Sequence, residues 1–231
     1  MSHLLRSNFE EDHTRHVMEG TELAPHLQTA AQLEASLSAV LDRCVPGADI
    51  WLFAYGSLMW NPMIVYEESC SAILFGYHRG FYLRSRIHRG TPQNPGLVLA
   101  LDSGGSCRGI CYRIAAARVK DELQLLWRRE MLGGSYKARW LDVHTCRGRV
   151  AALAFVIDRQ RPTYAGKLTD DEIVSCLHAS YGLSGSGVDY LLQTHRTLTG
   201  MGISCPSLTK LIKLIRVESD DNHKSLGLEP A

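Results

Sequence analysis

Glu130 is the side chain of this sequence best suited to acid–base chemistry. The predicted helix Val119–Met131 has an apolar stripe at helical spacing, formed by Val119, Leu123, Leu126 and Trp127. At roughly 100° per residue, Glu130 falls within about 20° of Val119 on this stripe. Burial and the negative helix end both raise a carboxyl pKa, so Glu130 is a candidate general base near neutral pH. An ion pair with Arg84, Arg86 or another arginine would instead give it a structural role.

A second candidate lies in Trp51–Trp60, which begins as an apolar, β-forming run and breaks at Gly56-Ser57. Glycine tolerates backbone angles that other residues avoid, so we expect a sharp turn there. We call Tyr55–Ser57 the glycine turn. Its outward N–H groups would form a small anion-binding cup. An ordinary strand end followed by a loop is the alternative interpretation.

A small basic cluster supplies a third candidate. Arg84 and Arg86 would share one face of a strand, and His88-Arg89-Gly90 follows. Arginine is well suited to binding a carboxylate. A solvated strand edge accounts for the same residues equally well.

Composition and motifs exclude several classes of function. The chain has 231 residues, 45% hydrophobic and 21% charged, and a net charge of +1, which gives no reason to expect nucleic acid or membrane partners. No run is apolar enough for a signal peptide or a membrane span. Seven scattered cysteines favour a reduced, cytoplasmic protein, and Cys107 and Cys111 are expected to be core thiols. Zinc, acyl-serine, Walker and dinucleotide motifs are absent, so we expect a site without metal or cofactor.

The elements that must position these residues indicate an α+β fold. A helix is expected over Leu27–Cys44, packed outside the domain, and the residues before about 22 are expected to be loosely attached. The strand candidates are Ile50–Ala54, Ser71–Tyr77, Phe81–Arg86, Leu97–Leu101, Cys107–Ile114, Lys137–Val143 and Arg149–Ile157. Seven strands must hide their edges, which favours a closed or nearly closed sheet.

Three helices are expected to complete the chain, and one domain is expected to hold all the strands. The helices are capped by Thr169 or Asp170, by Ser186 and by Pro206-Ser207, and the last ends at Val217. The domain boundaries are an N-terminal extension over 1–48, a catalytic domain over 49–218 and a polar, disordered tail over 219–231.

Taken together, these motifs resemble the ChaC family of glutathione-specific γ-glutamylcyclotransferases. The resemblance runs in order from about Ile50 to Val217. It is carried by Tyr55-Gly56-Ser57-Leu58-Met59-Trp60, His88-Arg89-Gly90-Thr91-Pro92, Pro95-Gly96, Arg129-Glu130, Gly133-Gly134, Tyr136, Ser184-Gly185 and Tyr190-Leu191. The first 48 or so residues have no counterpart in the shortest family members.

The resemblance implies a small mixed β-barrel flanked by helices. It also implies a lyase that cleaves glutathione to 5-oxoproline and cysteinylglycine, without metal or cofactor. Glu130 would be the catalytic carboxylate. The residues expected to bind substrate are Leu52, Phe53, Ala54, Tyr55, Gly56, Ser57, Leu58, Arg89, Tyr136 and Tyr190. Asp121 lies near a second acidic position of the relatives but is left out of the predicted site.

Two other interpretations of the site stay open. The protein would be a cyclotransferase for other γ-glutamyl amino acids or amines if the pocket beyond the γ-carbonyl fits those compounds and not glutathione. A binding or regulatory protein would use the same pocket to sense a γ-glutamyl ligand, although an intact Glu130 argues against that role.

Overall fold

The computed structural model describes residues 6–225, apart from the side chains of residues 8, 10 and 218–225. Its centre is a closed five-stranded barrel. The strands are β1 (Ile50–Ala54), β2 (Glu68–Ser85), β3 (Gly96–Ile114), β4 (Tyr136–Thr145) and β5 (Gly148–Ile157).

The barrel confirms the expected closed, mixed sheet. Its strand order is β1-β3-β2-β4-β5, and these neighbours pair antiparallel. A parallel pairing of β5 with β1, through Trp51 and Ala152, closes the circle. Closure removes the unpaired edges that an open five-stranded sheet would present.

The seven predicted strands correspond to only five barrel strands, because two pairs of predicted strands are each one long strand. The described part of the chain has two more strands, Tyr181–Gly182 and Gly185–Ser186, which form a separate two-stranded sheet. β2 continues across residues 78–80, where the prediction interrupted it, and Gly76 has a φ of +82° at a shift in register. β3 likewise continues through Gly104 and Gly105, with φ values of +100° and +70°. Glycine inside a strand often marks a bulge, and these glycines bend the strands instead of ending them.

Helices surround the barrel. They are α1 (Ser7–Glu10), α2 (His13–Glu19), α3 (Ala30–Leu41), α4 (Val119–Leu126), α5 (Asp170–Ala179), α6 (Gly187–Gly200) and α7 (Pro206–Ser225). Thr169 and Ser186 cap α5 and α6 as predicted, by accepting hydrogen bonds from the backbone of Glu172 and Asp189. Within residues 6–225, no helix has the length and hydropathy needed to cross a bilayer.

The end of the chain differs from the prediction. α7 runs to Ser225, eight residues past the expected stop at Val217, so the polar tail is helical over 219–225. Residues 226–231 of that tail lie outside the described residues.

The two buried cysteines behave as predicted. Cys107 and Cys111 both lie in one apolar cluster of the barrel. Burial raises the pKa of Cys107 to about 11 and that of Cys111 to about 12. Thiols with such pKa values stay protonated and unreactive, as expected of core residues.

The expectation of a loosely attached N-terminus was wrong for the described residues. We call residues 6–29 the N-terminal segment. Phe9 is only 1% exposed, and the Arg6 guanidinium binds both carboxylate oxygens of buried Glu122, at 2.7 and 3.1 Å. Residues 1–5 lie outside the described residues. The error has a simple cause, since Glu122 is 116 positions away and local sequence gives no signal for that pair.

Arg6→Ala is expected to destabilise the protein by about 1–3 kcal/mol, because Glu122 would keep a buried charge without its partner. Arg6 is itself 35% exposed, which keeps the cost below that of a fully buried pair. Urea unfolding measures the change. Adding Glu122→Gln should recover part of the loss, and Arg43→Ala, at an exposed arginine, is the control. Equal stability of Arg6→Ala and wild type would show that the pair does not hold the segment.

Candidate active site

A cavity of about 880 Å³ opens at one end of the barrel. Residues at the ends of all five strands line it, including Tyr55 after β1, Arg84 in β2, Leu99 in β3, Tyr136 in β4 and Phe155 in β5. Its size suits a small peptide or a comparable ligand.

Glu130 reaches this cavity from a π-helical turn. α4 ends at Leu126, and Trp127–Met131 continues it as a π-helix, a conformation often found at functional sites. Trp127 packs into the core with 1% exposure, while the Glu130 side chain is 14% exposed and lines the cavity. Burial raises the pKa of Glu130, as the sequence predicted.

Glu130 is also paired with an arginine, Arg129, so the ion pair that the structural alternative named is present. Arg129 Nε lies 2.9 Å from Glu130 Oε1. The positive charge lowers the carboxyl pKa, and burial outweighs it, so the net shift remains upward. The ion pair therefore leaves Glu130 a stronger base than an ordinary carboxylate.

The Arg129 guanidinium also joins Glu130 to the glycine turn. Its Nη2 donates to Ser57 Oγ at 3.0 Å, and its Nη1 donates to the Asn61 carbonyl at 2.6 Å. One side chain thus spans the distance between the candidate base and the predicted anion cup. Sequence analysis did not assign this role to Arg129, because neighbouring helical residues normally point about 100° apart.

The glycine turn forms where predicted, but for a different reason. Gly56 has a φ of −128°, which lies outside the left-handed region. Limited space favours glycine, since a Cβ atom there would lie 3.0 Å from the Tyr190 hydroxyl, which is a tight contact. Ser57 and Leu58 open a short 3₁₀ helix, and the first N–H groups of a helix have no partner within it.

Three of the predicted substrate-binding residues do not reach the cavity. Leu52, Phe53 and Ala54 are fully buried in β1 and are absent from the cavity lining. β1 is buried on both faces, so these side chains fill the core on either side of it. Their contribution is to fix the start of the glycine turn.

Three tyrosines line the cavity, namely Tyr55, Tyr136 and Tyr190. The Tyr55 hydroxyl donates to the Phe155 carbonyl at 2.8 Å. Burial raises the pKa of both Tyr55 and Tyr136 well above the ordinary value. The Tyr190 hydroxyl instead accepts from the Leu99 N–H at 3.3 Å, and burial raises its pKa to about 12. Tyr190 can therefore donate its own proton towards the cavity.

The basic cluster also lines the cavity, with Arg84, Arg86 and Arg89 all contributing. Arg89 is 6% exposed and sits 5.4 Å from the Tyr190 ring and 5.9 Å from the Trp60 ring, and it donates to the Ser186 carbonyl. Arg86 has a buried Nε for which the described residues provide no hydrogen-bond partner.

Two titratable residues near the site have other roles. Burial, with Arg129 and Arg89 nearby, lowers the pKa of His88 to about 4, so this histidine is neutral at physiological pH. Asp121 is exposed and does not line the cavity, which agrees with leaving it out of the predicted site.

The N-terminal segment supplies lining residues that sequence analysis missed. The segment contributes Thr14, Met18, Leu23, Pro25, His26, Leu27, Gln28 and Thr29, and α3 adds Gln32. These residues carry no catalytic pattern, and only the folded chain brings them to the barrel.

Comparison with known proteins shows the family to which the chain belongs. Residues 50–218 match the family model described as ChaC-like protein. The chain is 36% identical to the glutathione-specific γ-glutamylcyclotransferase of Escherichia coli, over 88% of this chain and 89% of the relative. It is 31% identical to glutathione-specific γ-glutamylcyclotransferase 1 of Danio rerio, over 70% and 83% of the two chains.

A solved structure has the same fold. The crystal structure of a yeast γ-glutamyl cyclotransferase specific to glutathione superposes with a TM-score of 0.68 and 23% identity, covering 73% of this chain and 96% of the yeast chain. The family model matches the chain from β1 into α7. The chain therefore belongs to the ChaC-like family.

Proposed function

We propose that this protein cleaves glutathione to 5-oxo-L-proline and L-cysteinylglycine, with Glu130 as general acid and base. The observation that carries the proposal is a carboxylate of raised pKa beside the glycine turn, in a chain of the ChaC-like family. All seven cysteines are free, which favours the reducing cytoplasm as the place of reaction.

Substrate binding begins at the glycine turn. The α-carboxylate of the γ-glutamyl group accepts hydrogen bonds from the N–H groups that open the 3₁₀ helix at Ser57. Arg129 adds positive charge on the same side. This contact places the α-ammonium of the substrate near Glu130.

The reaction then needs no nucleophile from the protein. Glu130 takes a proton from the α-ammonium, and the free amine attacks the γ-carbonyl carbon to form a five-membered ring. Because the amine and the carbonyl belong to one molecule, holding the chain folded gives a large rate advantage. The amide C–N bond breaks as Glu130 gives its proton to the leaving nitrogen. Glu130 then carries the second proton of the ring nitrogen to the same amine, so the ring becomes a neutral lactam and cysteinylglycine leaves with an ammonium group. Atoms and charges balance without water, metal or cofactor.

Tyr190 is the residue that we assign to the oxyanion of the tetrahedral intermediate. Its hydroxyl lies beside Gly56 and accepts from Leu99 N–H, so its proton is available to a developing negative charge. Tyr136 also lines the cavity and is the second candidate.

Arg86 is the residue that we assign to the glycine carboxylate. Arg86 lines the cavity, and a guanidinium group can bind a carboxylate through two parallel hydrogen bonds. Arg89 is held between two aromatic rings and Ser186, so we assign it to shaping the wall around Tyr190.

Glu130→Gln is expected to lower the release of cysteinylglycine from glutathione by at least about a hundredfold, because the amide keeps the shape and cannot take a proton. Chromatography of the products measures the rate, with and without a chelator. Asp121→Asn is the matched control and should retain activity, since Asp121 is exposed and outside the cavity. Wild-type rates in Glu130→Gln would refute the mechanism, and loss of wild-type activity with the chelator would refute the metal-free scheme.

The same mechanism fixes the sign of the pH dependence. Glu130 must be ionised to accept a proton, and burial raises its pKa above the ordinary 4.5. We therefore expect kcat/KM to fall as the pH drops through a value above 4.5. A fall of kcat/KM centred near pH 4 would instead indicate the protonation of His88, whose pKa is lowered to about 4.

Tyr190→Phe is expected to lower kcat by about a hundredfold, because it removes one hydrogen-bond donor to the oxyanion. Tyr66→Phe, at a partly exposed tyrosine away from the cavity, is the control. Steady-state kinetics with glutathione gives the comparison. A Tyr190→Phe variant with unchanged kcat would assign the oxyanion to other donors.

Arg86→Met is expected to raise KM for glutathione about tenfold or more with little change in kcat, because it removes a contact to a part of the substrate that does not react. γ-Glutamyl-alanine, whose carboxylate ends one residue earlier, should be affected less. Arg108→Met, at an exposed arginine outside the cavity, should behave as wild type. Equal effects on both substrates would remove Arg86 from this role.

A further inference from the structure

We propose that the N-terminal segment forms a substrate-binding wall, in which Gln28 binds the peptide bond of the cysteinylglycine half and so selects for substrate length. This inference rests on the proposed function, because it assumes that a γ-glutamyl peptide occupies the cavity. Family membership does not supply it, since the family match begins at residue 50.

Contacts along its length hold the segment against the barrel domain. Arg6 binds Glu122, and Arg128 Nη1 donates to the Phe9 carbonyl at 3.1 Å. Gln28 is held on both sides of its backbone, because its N–H donates to the Leu132 carbonyl at 2.8 Å and its carbonyl accepts from Arg15 at 3.0 Å. A wall fixed in this way is preorganised for binding.

The position of Gln28 relates it directly to the catalytic residues. Its backbone partner Leu132 follows the π-helical turn that carries Glu130. Its side-chain amide packs over Gly134, with Nε2 2.7 Å from where a Cβ atom of Gly134 would lie. Gly134 is two residues before Tyr136. Gln28 thus lines the cavity next to the floor formed by Glu130 and Tyr136.

The path of the substrate brings its leaving half to this wall. The γ-glutamyl group occupies the floor, between the glycine turn and Glu130. The rest of the tripeptide must then extend along the remaining lining, much of which the N-terminal segment provides. The peptide bond of cysteinylglycine has one N–H and one C=O, and a glutamine amide can both donate and accept.

The kinetic test compares glutathione with γ-glutamylcysteine, which lacks the glycine and its peptide bond. Gln28→Ala is expected to lower kcat/KM for glutathione about tenfold and to leave kcat/KM for γ-glutamylcysteine within about twofold. Glu22→Ala, at an exposed residue of the same segment outside the cavity, should change neither. Equal loss on both substrates, or no loss, would overturn the assignment of Gln28.

A binding measurement separates this inference from the proposed function. Glu130→Gln keeps the cavity but should not turn over, so hydrogen exchange can be followed with glutathione bound. We expect slower amide exchange over residues 24–29 with glutathione than with γ-glutamylcysteine. Glutathione binding without slower exchange in that stretch would overturn the wall. Failure of the wild type to release 5-oxoproline would overturn the proposed function. The hydrogen-exchange measurement would still decide whether residues 24–29 contact glutathione.

Discussion

The site depends on one guanidinium group that has three partners. Arg129 contacts the Glu130 carboxylate, the Ser57 hydroxyl and the Asn61 carbonyl. An isolated buried carboxylate would be costly and would take up a proton, whereas a fully paired one would be a weak base. A single contact between Nε and Oε1 gives an intermediate state, with a pKa that burial still raises. The same guanidinium sets the separation between base and glycine turn.

The π-helical turn carries both members of this ion pair. Arg129 and Glu130 line the cavity from the turn over Trp127–Met131. Trp127 of the same turn remains in the core and donates to Ser36 of α3. The apolar stripe of α4 thus anchors the π-helical turn in the core, and the turn carries Arg129 and Glu130 to the cavity.

Patterns within a few residues predicted much of the fold. β1 has the predicted bounds, and the caps at Thr169 and Ser186 are where capping chemistry put them. Gly104 was predicted to lie in a turn but lies inside β3, because a bulge and a turn have the same residue signal. The burial of Glu130 followed from the helical wheel. The choice of Arg129 as its ion-pair partner did not, because neighbouring residues on the wheel point about 100° apart, and the N-terminal lining of the cavity depends on contacts between distant parts of the chain.

The pairing of Arg6 with Glu122 has a consequence for how the protein matures during synthesis. Arg6 leaves the ribosome 116 residues before its partner. Contacts of such long separation form late, because a large loop must close first. A nascent chain that has not reached α4 lacks the Arg6–Glu122 pair, so this pair cannot yet hold its first helices. The ion pair that fixes the cavity wall is therefore made only after α4 has been synthesised.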